Sequence, residues 1–139
     1  MANKALEMYF TVRYPEMEIR LFEKFIEYFK IYNRTFIISH GKDKEDLNYG
    51  FPLVLNDKTE NYILKLINEK NISGDVSFIS ADLHQTSFQR HRYFNYYKVS
   101  SFFGSSKWIH NNFGNTRAGT DYEVIFEDGT TKFDFIELN

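Results

Sequence analysis

The apolar and polar positions of the first third of the chain repeat with two different periods. Residues 5–13 alternate between apolar and polar side chains, which is the period of a half-buried strand. Residues 16–32 follow the helical period instead, because their apolar side chains gather on one side and their charged side chains on the other. Pro15 suits the first turn of such a helix. The pattern predicts an N-terminal strand followed by an amphipathic helix that packs on the core.

The middle of the chain predicts a second helix between short strands. Residues 36–38 form an uninterrupted apolar run, typical of an inner strand covered on both faces, and residues 51–55 predict another short strand. Asp57 and Glu60 have the spacing of a capping box, so we expect a helix to begin here and to continue to about residue 70. Asp75–Ser80 predicts a further strand. The predicted class is α+β with two main helices, in the element order of a split βαβ, ferredoxin-like fold.

A hairpin is predicted at the C-terminal end of the chain. The dipeptide Asp128-Gly129 favours a two-residue turn between two alternating runs of β-forming residues. That turn pairs Tyr122 with Phe135 on an aromatic face, which we expect to pack inward. On the other face it places Glu123 opposite Asp134, and like charges in that position are destabilising. The prediction therefore requires another charge to offset this acidic face.

Composition bounds the class of protein. A chain of 139 residues with 42% apolar and 26% charged residues is typical of one globular domain, which we assign to residues 1–139. The absence of cysteine excludes disulfides and thiolate chemistry. No signal peptide and no run long enough to span a membrane is present, so we expect a soluble protein of the bacterial cytoplasm. The bias toward Asn, Lys, Ile, Phe and Tyr is typical of an AT-rich genome, such as that of a phage.

Charge is distributed unevenly along the sequence. Residues 83–120, called the basic aromatic stretch below, hold five Lys or Arg, three of the four histidines, the only Trp and no Asp or Glu. The remaining 101 residues hold 12 basic and 19 acidic side chains. This asymmetry predicts a surface that binds a negatively charged partner.

Within this stretch, residues 90–99 fit a strand better than a helix. A strand places cations and flat rings alternately on one face, the layout that holds single-stranded nucleic acid or one nucleotide. We therefore expect a non-enzymatic binding protein for such an anionic ligand, without a cofactor or a metal. Residues 114–119 offer backbone amides for an anion in a glycine-bounded turn. The candidate ligand-binding residues are Arg90, Arg92, Tyr93, Phe94, Tyr96, Lys98, Lys107, Trp108 and Arg117.

Two other interpretations of the same residues stay open. Arg90, Arg92 or Arg117 can neutralise the acidic hairpin face, which makes the asymmetry purely structural. Tyr, Trp and Arg are also the residues enriched at the centres of protein interfaces. On that interpretation the chain is an inhibitor or immunity protein, of the kind that phages and mobile elements encode, and it contacts a protein target or forms an oligomer.

An enzymatic interpretation rests on three histidines. His84, His91 and His110 lie among cations, and a metal-independent ribonuclease or phosphodiesterase uses such side chains as general acid and base. Asp82 adds a ligand type next to His84, but at no recognised metal-binding spacing. The phosphate-binding P-loop motif and the serine nucleophile elbow are both absent. The sequence therefore favours binding over catalysis.

Overall fold

A computed structural model describes residues 2–20, 24–41, 50–100, 107–113 and 118–138 of the chain. Within these residues it contains three helices and seven strands. They follow the order α1 (Ala2–Arg13), β1 (Ile26–Ile31), β2 (Arg34–Ser39), α2 (Asp57–Glu69), β3 (Asp75–Ser80), β4 (Ser87–Arg90), β5 (Asn95–Lys98), α3 (Lys107–Phe113), β6 (Gly119–Ile125) and β7 (Thr131–Glu137).

The first five strands form one mixed sheet in the order β1-β2-β3-β5-β4. β2, β3 and β5 run parallel to one another, and β1 and β4 lie antiparallel at the two edges. The predicted α+β class is confirmed. The predicted ferredoxin-like order is wrong, because β2 and β3, joined through α2, are direct neighbours and no strand separates them.

One face of the sheet holds the aromatic core. The ring of Phe78 lies 4.7 Å from that of Phe51 and stacks at 5.9 Å on Tyr96, and Ile63 of α2 closes the cluster. These four side chains are fully or almost fully buried. Removing such a side chain from water contributes roughly 2 kcal/mol, so this face supplies much of the stability of the sheet.

The C-terminal hairpin of β6 and β7 covers the opposite face. The Phe133 ring packs 4.9 Å from that of Tyr97, and Arg34 donates to the Glu123 carboxylate at 3.0 Å. Burial raises the pKa of Glu123, and the guanidinium of Arg34 acts against that rise. An offsetting charge for Glu123 thus comes from Arg34 of β2. Among the described residues neither Arg90 nor Arg92 forms an ion pair, and Arg117 lies outside them.

The hairpin register differs from the predicted one by one residue. Glu123 lies opposite Phe133, and Tyr122 lies opposite Asp134. The cause is a loop longer than two residues. In this loop the Gly129 amide donates to the Phe126 carbonyl, and Gly129 itself adopts the left-handed conformation at φ +85°. A one-residue slip moves every side chain of a strand to the other face, which turns Glu123 inward to Arg34.

The two N-terminal predictions are wrong. The predicted strand at 5–13 is part of helix α1, and the predicted helix at 16–32 contains strand β1. Since no described strand pairs with residues 5–13, a helix is the conformation that satisfies their backbone internally. β1 forms because a tight turn, with Tyr32 at φ 51°, pairs it with β2. That turn lacks the Asn-Gly signal by which hairpins are found in a sequence.

Predictions for the middle of the chain are mostly confirmed. β2 includes the apolar run at 36–38, β3 has the predicted bounds, and α2 is capped by Asn56, whose side chain accepts from the Thr59 amide. The cap lies one residue earlier than predicted. Residues 51–55 form no strand, because side chains of β4 take the place of a ladder and bond to the backbone of Leu53 and Leu55.

The predicted strand at 90–99 is a hairpin in the structure. β4 ends at Arg90, a turn closed by the bond from the His91 amide to the Phe94 carbonyl follows, and β5 begins at Asn95. No glycine, proline or Asx pair marks this turn in the sequence. None of the described helices is long and apolar enough to cross a membrane.

Candidate functional site

The exposed members of the predicted ligand site lie at the turn between β4 and β5. The Arg90 guanidinium lies 5.6 Å from the centre of the Phe88 ring, and that of Arg92 lies 5.5 Å from the centre of the Tyr93 ring. In the described part of the chain, no carboxylate oxygen lies within 4.0 Å of either guanidinium. We call Arg90, Arg92 and Tyr93 the basic turn.

Three other predicted ligand residues lie in the interior. Phe94, Tyr96 and Lys98 are 3%, 0% and 0% exposed. The Tyr96 hydroxyl donates to the Pro52 carbonyl, and burial raises the pKa of this tyrosine. Because the strand stops at the turn, these side chains do not share a surface with Arg90 and Arg92. They stabilise the core instead.

The remaining predicted ligand residues belong to α3 and the segment after it. Lys107 is exposed at the start of this helix. Trp108 is part of the helix backbone, but its side chain lies outside the described residues. Arg117 and most of the glycine-bounded turn at 114–119 also lie outside them, so their role stays a prediction.

The three candidate catalytic histidines occupy different elements. His84 follows β3, His91 lies in the turn after β4, and His110 lies in α3. The four residues of β4, roughly 13 Å long, separate His84 from His91. His91 contacts α2, with its Nε2 3.0 Å from the Glu60 carboxylate. The structure therefore does not bring His84 and His91 together.

A separate group of polar side chains lies where the parallel strands end. His40 follows β2, and Asp82 and His84 follow β3. Since β2 and β3 are neighbouring parallel strands, their carboxyl ends meet at one edge of the sheet, the position where open α/β sheets bind ligands. The Nε2 atom of His40 lies 3.9 Å from Oδ1 of Asp82. We call His40, Asp82 and His84 the carboxyl-end cluster.

The backbone of this cluster is strained. Asp82 and His84 adopt φ angles of 78° and 54°, in the left-handed region. Such conformations in residues other than glycine cost on the order of 1 kcal/mol each and often mark functional sites. Gly41 has φ +122°, and a Cβ there would lie 2.6 Å from the Ala81 carbonyl oxygen. The loops after β2 and β3 thus approach so closely that only glycine fits.

Lys98 lies buried beneath the cluster. Its Nζ donates to the Phe51 carbonyl at 3.1 Å, the Ser80 hydroxyl at 3.0 Å and the Ala81 carbonyl at 2.5 Å. Burial lowers the pKa of Lys98 to about 8, and the charge of Asp82 acts in the opposite direction. All three donors of the ammonium are therefore used within the protein.

The chemistry offered by the cluster is that of two imidazoles and one carboxylate. The His40 side chain is exposed and that of Asp82 is half-buried, whereas the Nδ1 atom of His84 is buried without a hydrogen-bond partner among the described residues. No group of three or more His, Asp or Glu in the described ranges is arranged to hold a metal ion. These side chains are suited to hydrogen bonding and to proton transfer at a ligand.

Sequence reasoning found this cluster only in part. The sequence identifies His84 as a catalytic candidate and Asp82 as a residue of a metal-ligand type, but the candidates do not include His40. The available signal was position, because His40 follows the run predicted as an inner strand at 36–38, and Asp82 and His84 follow the strand predicted at Asp75–Ser80. Without knowing that the two strands are parallel neighbours, the sequence does not show that these groups meet.

Comparisons with known proteins define the fold class but no family. No protein-family model matches the chain, and no curated protein matches it. Two solved structures of Vps29 from Entamoeba histolytica, a single and a double mutant, are similar with TM-scores of 0.53 and 0.51 at 13% sequence identity. The matches cover 88% and 82% of this chain, which spans only 65% and 61% of those chains. At this identity the likeness concerns the fold alone.

Proposed function

We propose that this protein binds a phosphate ester, such as a nucleotide or the end of a single strand of nucleic acid, at the carboxyl-end cluster. The observation that carries the proposal is the approach of His40 to Asp82, two residues before His84, on the loops after two neighbouring parallel strands. An anionic ligand of this kind also agrees with the acid-free character of the basic aromatic stretch, which begins beside the cluster.

The side chains supply suitable partners for phosphate oxygens. An imidazole N–H donates to a phosphate oxygen when neutral and adds a positive charge when protonated. Oδ1 of Asp82 lies 3.9 Å from the Nε2 atom of His40, so the two side chains face the same space. The likeness to Vps29, a protein of the phosphoesterase fold, supports a phosphate ester over other anions.

Calorimetric titration with adenosine monophosphate tests the proposal. We expect the wild-type protein to bind it and the variants His40→Ala and His84→Gly to bind at least tenfold more weakly. Glycine is chosen at position 84 because it tolerates the left-handed backbone there. His110→Ala, which removes an exposed imidazole from α3, is the matched control. Equal affinity in all four proteins, or no binding by the wild type, would contradict the proposal.

The same variants distinguish binding from turnover. Release of 4-nitrophenol from bis(4-nitrophenyl) phosphate, measured in excess EDTA, reports metal-independent phosphodiesterase activity. Hydrolysis that is lost in His84→Gly and kept in His110→Ala would extend the proposal to catalysis. Binding without hydrolysis would leave the protein a non-enzymatic binding protein.

A second candidate function is the binding of single-stranded nucleic acid by the basic turn. It is favoured by two exposed guanidiniums that lie over aromatic rings without a described carboxylate partner. Bases stack on Tyr and Phe while Arg contacts phosphates, which gives an affinity that falls with salt. A protein partner, as in an inhibitor or immunity protein of a phage, is the alternative for the same surface and depends less on salt.

Fluorescence anisotropy with a ten-nucleotide oligothymidylate at several salt concentrations tests this second candidate. We expect the variant Arg90→Gln/Arg92→Gln to bind more weakly and to show a salt slope smaller by roughly 1 to 2. Lys132→Gln, which removes an exposed charge from β7, controls for net charge. An identical salt slope in the wild type and the double variant would rule the basic turn out as the binding surface.

A further inference from the structure

Lys98 connects the two loops that carry the carboxyl-end cluster. On one side its ammonium donates to the Phe51 carbonyl, and the Phe51 amide donates to the Gly41 carbonyl at 2.7 Å, next to His40. On the other side it donates to the Ala81 carbonyl, which directly precedes Asp82. The loop after β2 and the loop after β3 are thus joined through one buried side chain.

The same contacts fix the orientation of the Ala81 backbone. Its amide points toward the end of β2, where the carbonyls of Ser39 and His40 lie 3.4 and 3.2 Å away. Its carbonyl points toward Lys98, which also holds the Ser80 hydroxyl. The strained residues Asp82 and His84 follow immediately, outside any strand, and strained conformations persist only where neighbouring groups hold them.

Core packing alone does not require an amine at this position. The Lys98 side chain is fully buried and donates to two carbonyls and a hydroxyl, but to no carboxylate of the residues that the structure describes. A buried charge of this kind is unfavourable compared with an apolar side chain of similar length, such as Met. The ammonium donates hydrogen bonds that orient two backbone carbonyls, and an apolar side chain makes no such bonds.

We propose that Lys98 is a positioning residue for the carboxyl-end cluster. Its hydrogen bonds to the Ala81 and Phe51 carbonyls fix the two loops and so determine the positions of His40, Asp82 and His84. The proposal rests on the proposed function of that cluster. Lys98 itself does not touch the ligand, because its ammonium is buried and its donors are already used.

The test compares Lys98→Met with Tyr96→Phe. Tyr96 lies on the same strand and the same face of the sheet, is equally buried, and donates to Pro52, next to Phe51. Tyr96→Phe therefore removes the hydrogen bonds of this hydroxyl with Pro52 and Ser80 but leaves the Lys98 donor to the Ala81 carbonyl in place. We expect Lys98→Met to weaken binding of adenosine monophosphate at least tenfold and Tyr96→Phe to change it less than twofold. Equal affinities in the two variants would overturn the proposal.

Amide hydrogen exchange gives a readout that needs no ligand. We expect exchange at residues 81–84 to accelerate at least tenfold in Lys98→Met, measured relative to the amides of α2, and to stay unchanged in Tyr96→Phe. Unchanged exchange in Lys98→Met overturns the positioning role even if no ligand binds. Failure of the wild type to bind, with accelerated exchange in Lys98→Met, contradicts the proposed function alone. If Lys98→Met does not fold, Ser80→Ala removes one acceptor and should accelerate the same amides to a smaller extent.

Discussion

Buried charge is the feature by which single residues most affect this protein. Arg34 and Glu123 form an ion pair whose side chains are each 9% exposed, and it fastens the C-terminal hairpin to the sheet. Lys98 is buried on the other face, where it meets carbonyls and a hydroxyl. A buried charge that loses its partner is strongly destabilising, so these residues allow sharp tests of the structure.

Substitution of one member of the ion pair should lower the free energy of unfolding more than substitution of both members. We expect Arg34→Met to lower the free energy of unfolding by about 3 kcal/mol or more, because it leaves the Glu123 carboxylate buried and unpaired. Arg34→Met/Glu123→Leu should recover most of that loss. Urea denaturation of the two single variants and the double variant measures the coupling. Strictly additive losses would show that the two side chains do not interact.

The stability of the protein should depend on pH through Lys98. Its folded-state pKa of about 8 lies below the ordinary value of 10.5, so between these two pH values the unfolded chain binds more protons than the folded one. The free energy of unfolding should then rise with pH by up to about 1.4 kcal/mol per pH unit, whereas below pH 8 the penalty is fully present. Urea denaturation at pH 7.5, 8.5 and 9.5 should show this rise in the wild type relative to Lys98→Met. Parallel curves for the two proteins would contradict it.

At the scale of elements, the sequence predicts a helix or strand correctly where residues within that element determine its type. α2 was predicted from its cap and its apolar side, and β3 from a bounded apolar run. The sequence predicts a strand where α1 lies and a helix where β1 lies, because over a few residues each pattern fits both the helical and the strand period. The structure differs because β1 has a strand to pair with, whereas no described strand pairs with α1. The sequence does not predict the carboxyl-end cluster for the same reason, since its formation depends on which strands are parallel neighbours.

The loop of the C-terminal hairpin offers a test at this scale. Gly129 has φ +85°, so Gly129→Ala should destabilise the protein by about 1 kcal/mol through the left-handed penalty on a side chain. Gly129→Asn should cost less, because Asn tolerates this region better. Thermal unfolding of the two variants measures the difference. Equal melting temperatures for the Ala and Asn variants would contradict the left-handed conformation of Gly129.

At the scale of the whole molecule, the mixed sheet separates two candidate surfaces. The carboxyl-end cluster lies where the parallel strands end, and the basic turn lies where β5 begins. Composition pointed to a stretch that contains the basic turn and one residue of the carboxyl-end cluster, because Arg90 and His84 both belong to it. It did not separate them, since the reversal of the chain between β4 and β5 carries no sequence signal.

The most direct test of the central claim is a ¹H–¹⁵N NMR titration of the full chain with adenosine monophosphate. The account predicts saturable shift changes in the amides of residues 40–41 and 81–84, with the amides of residues 90–93 unaffected. Changes confined to residues 90–93, or no saturable change at residues 40–41 and 81–84, would contradict it.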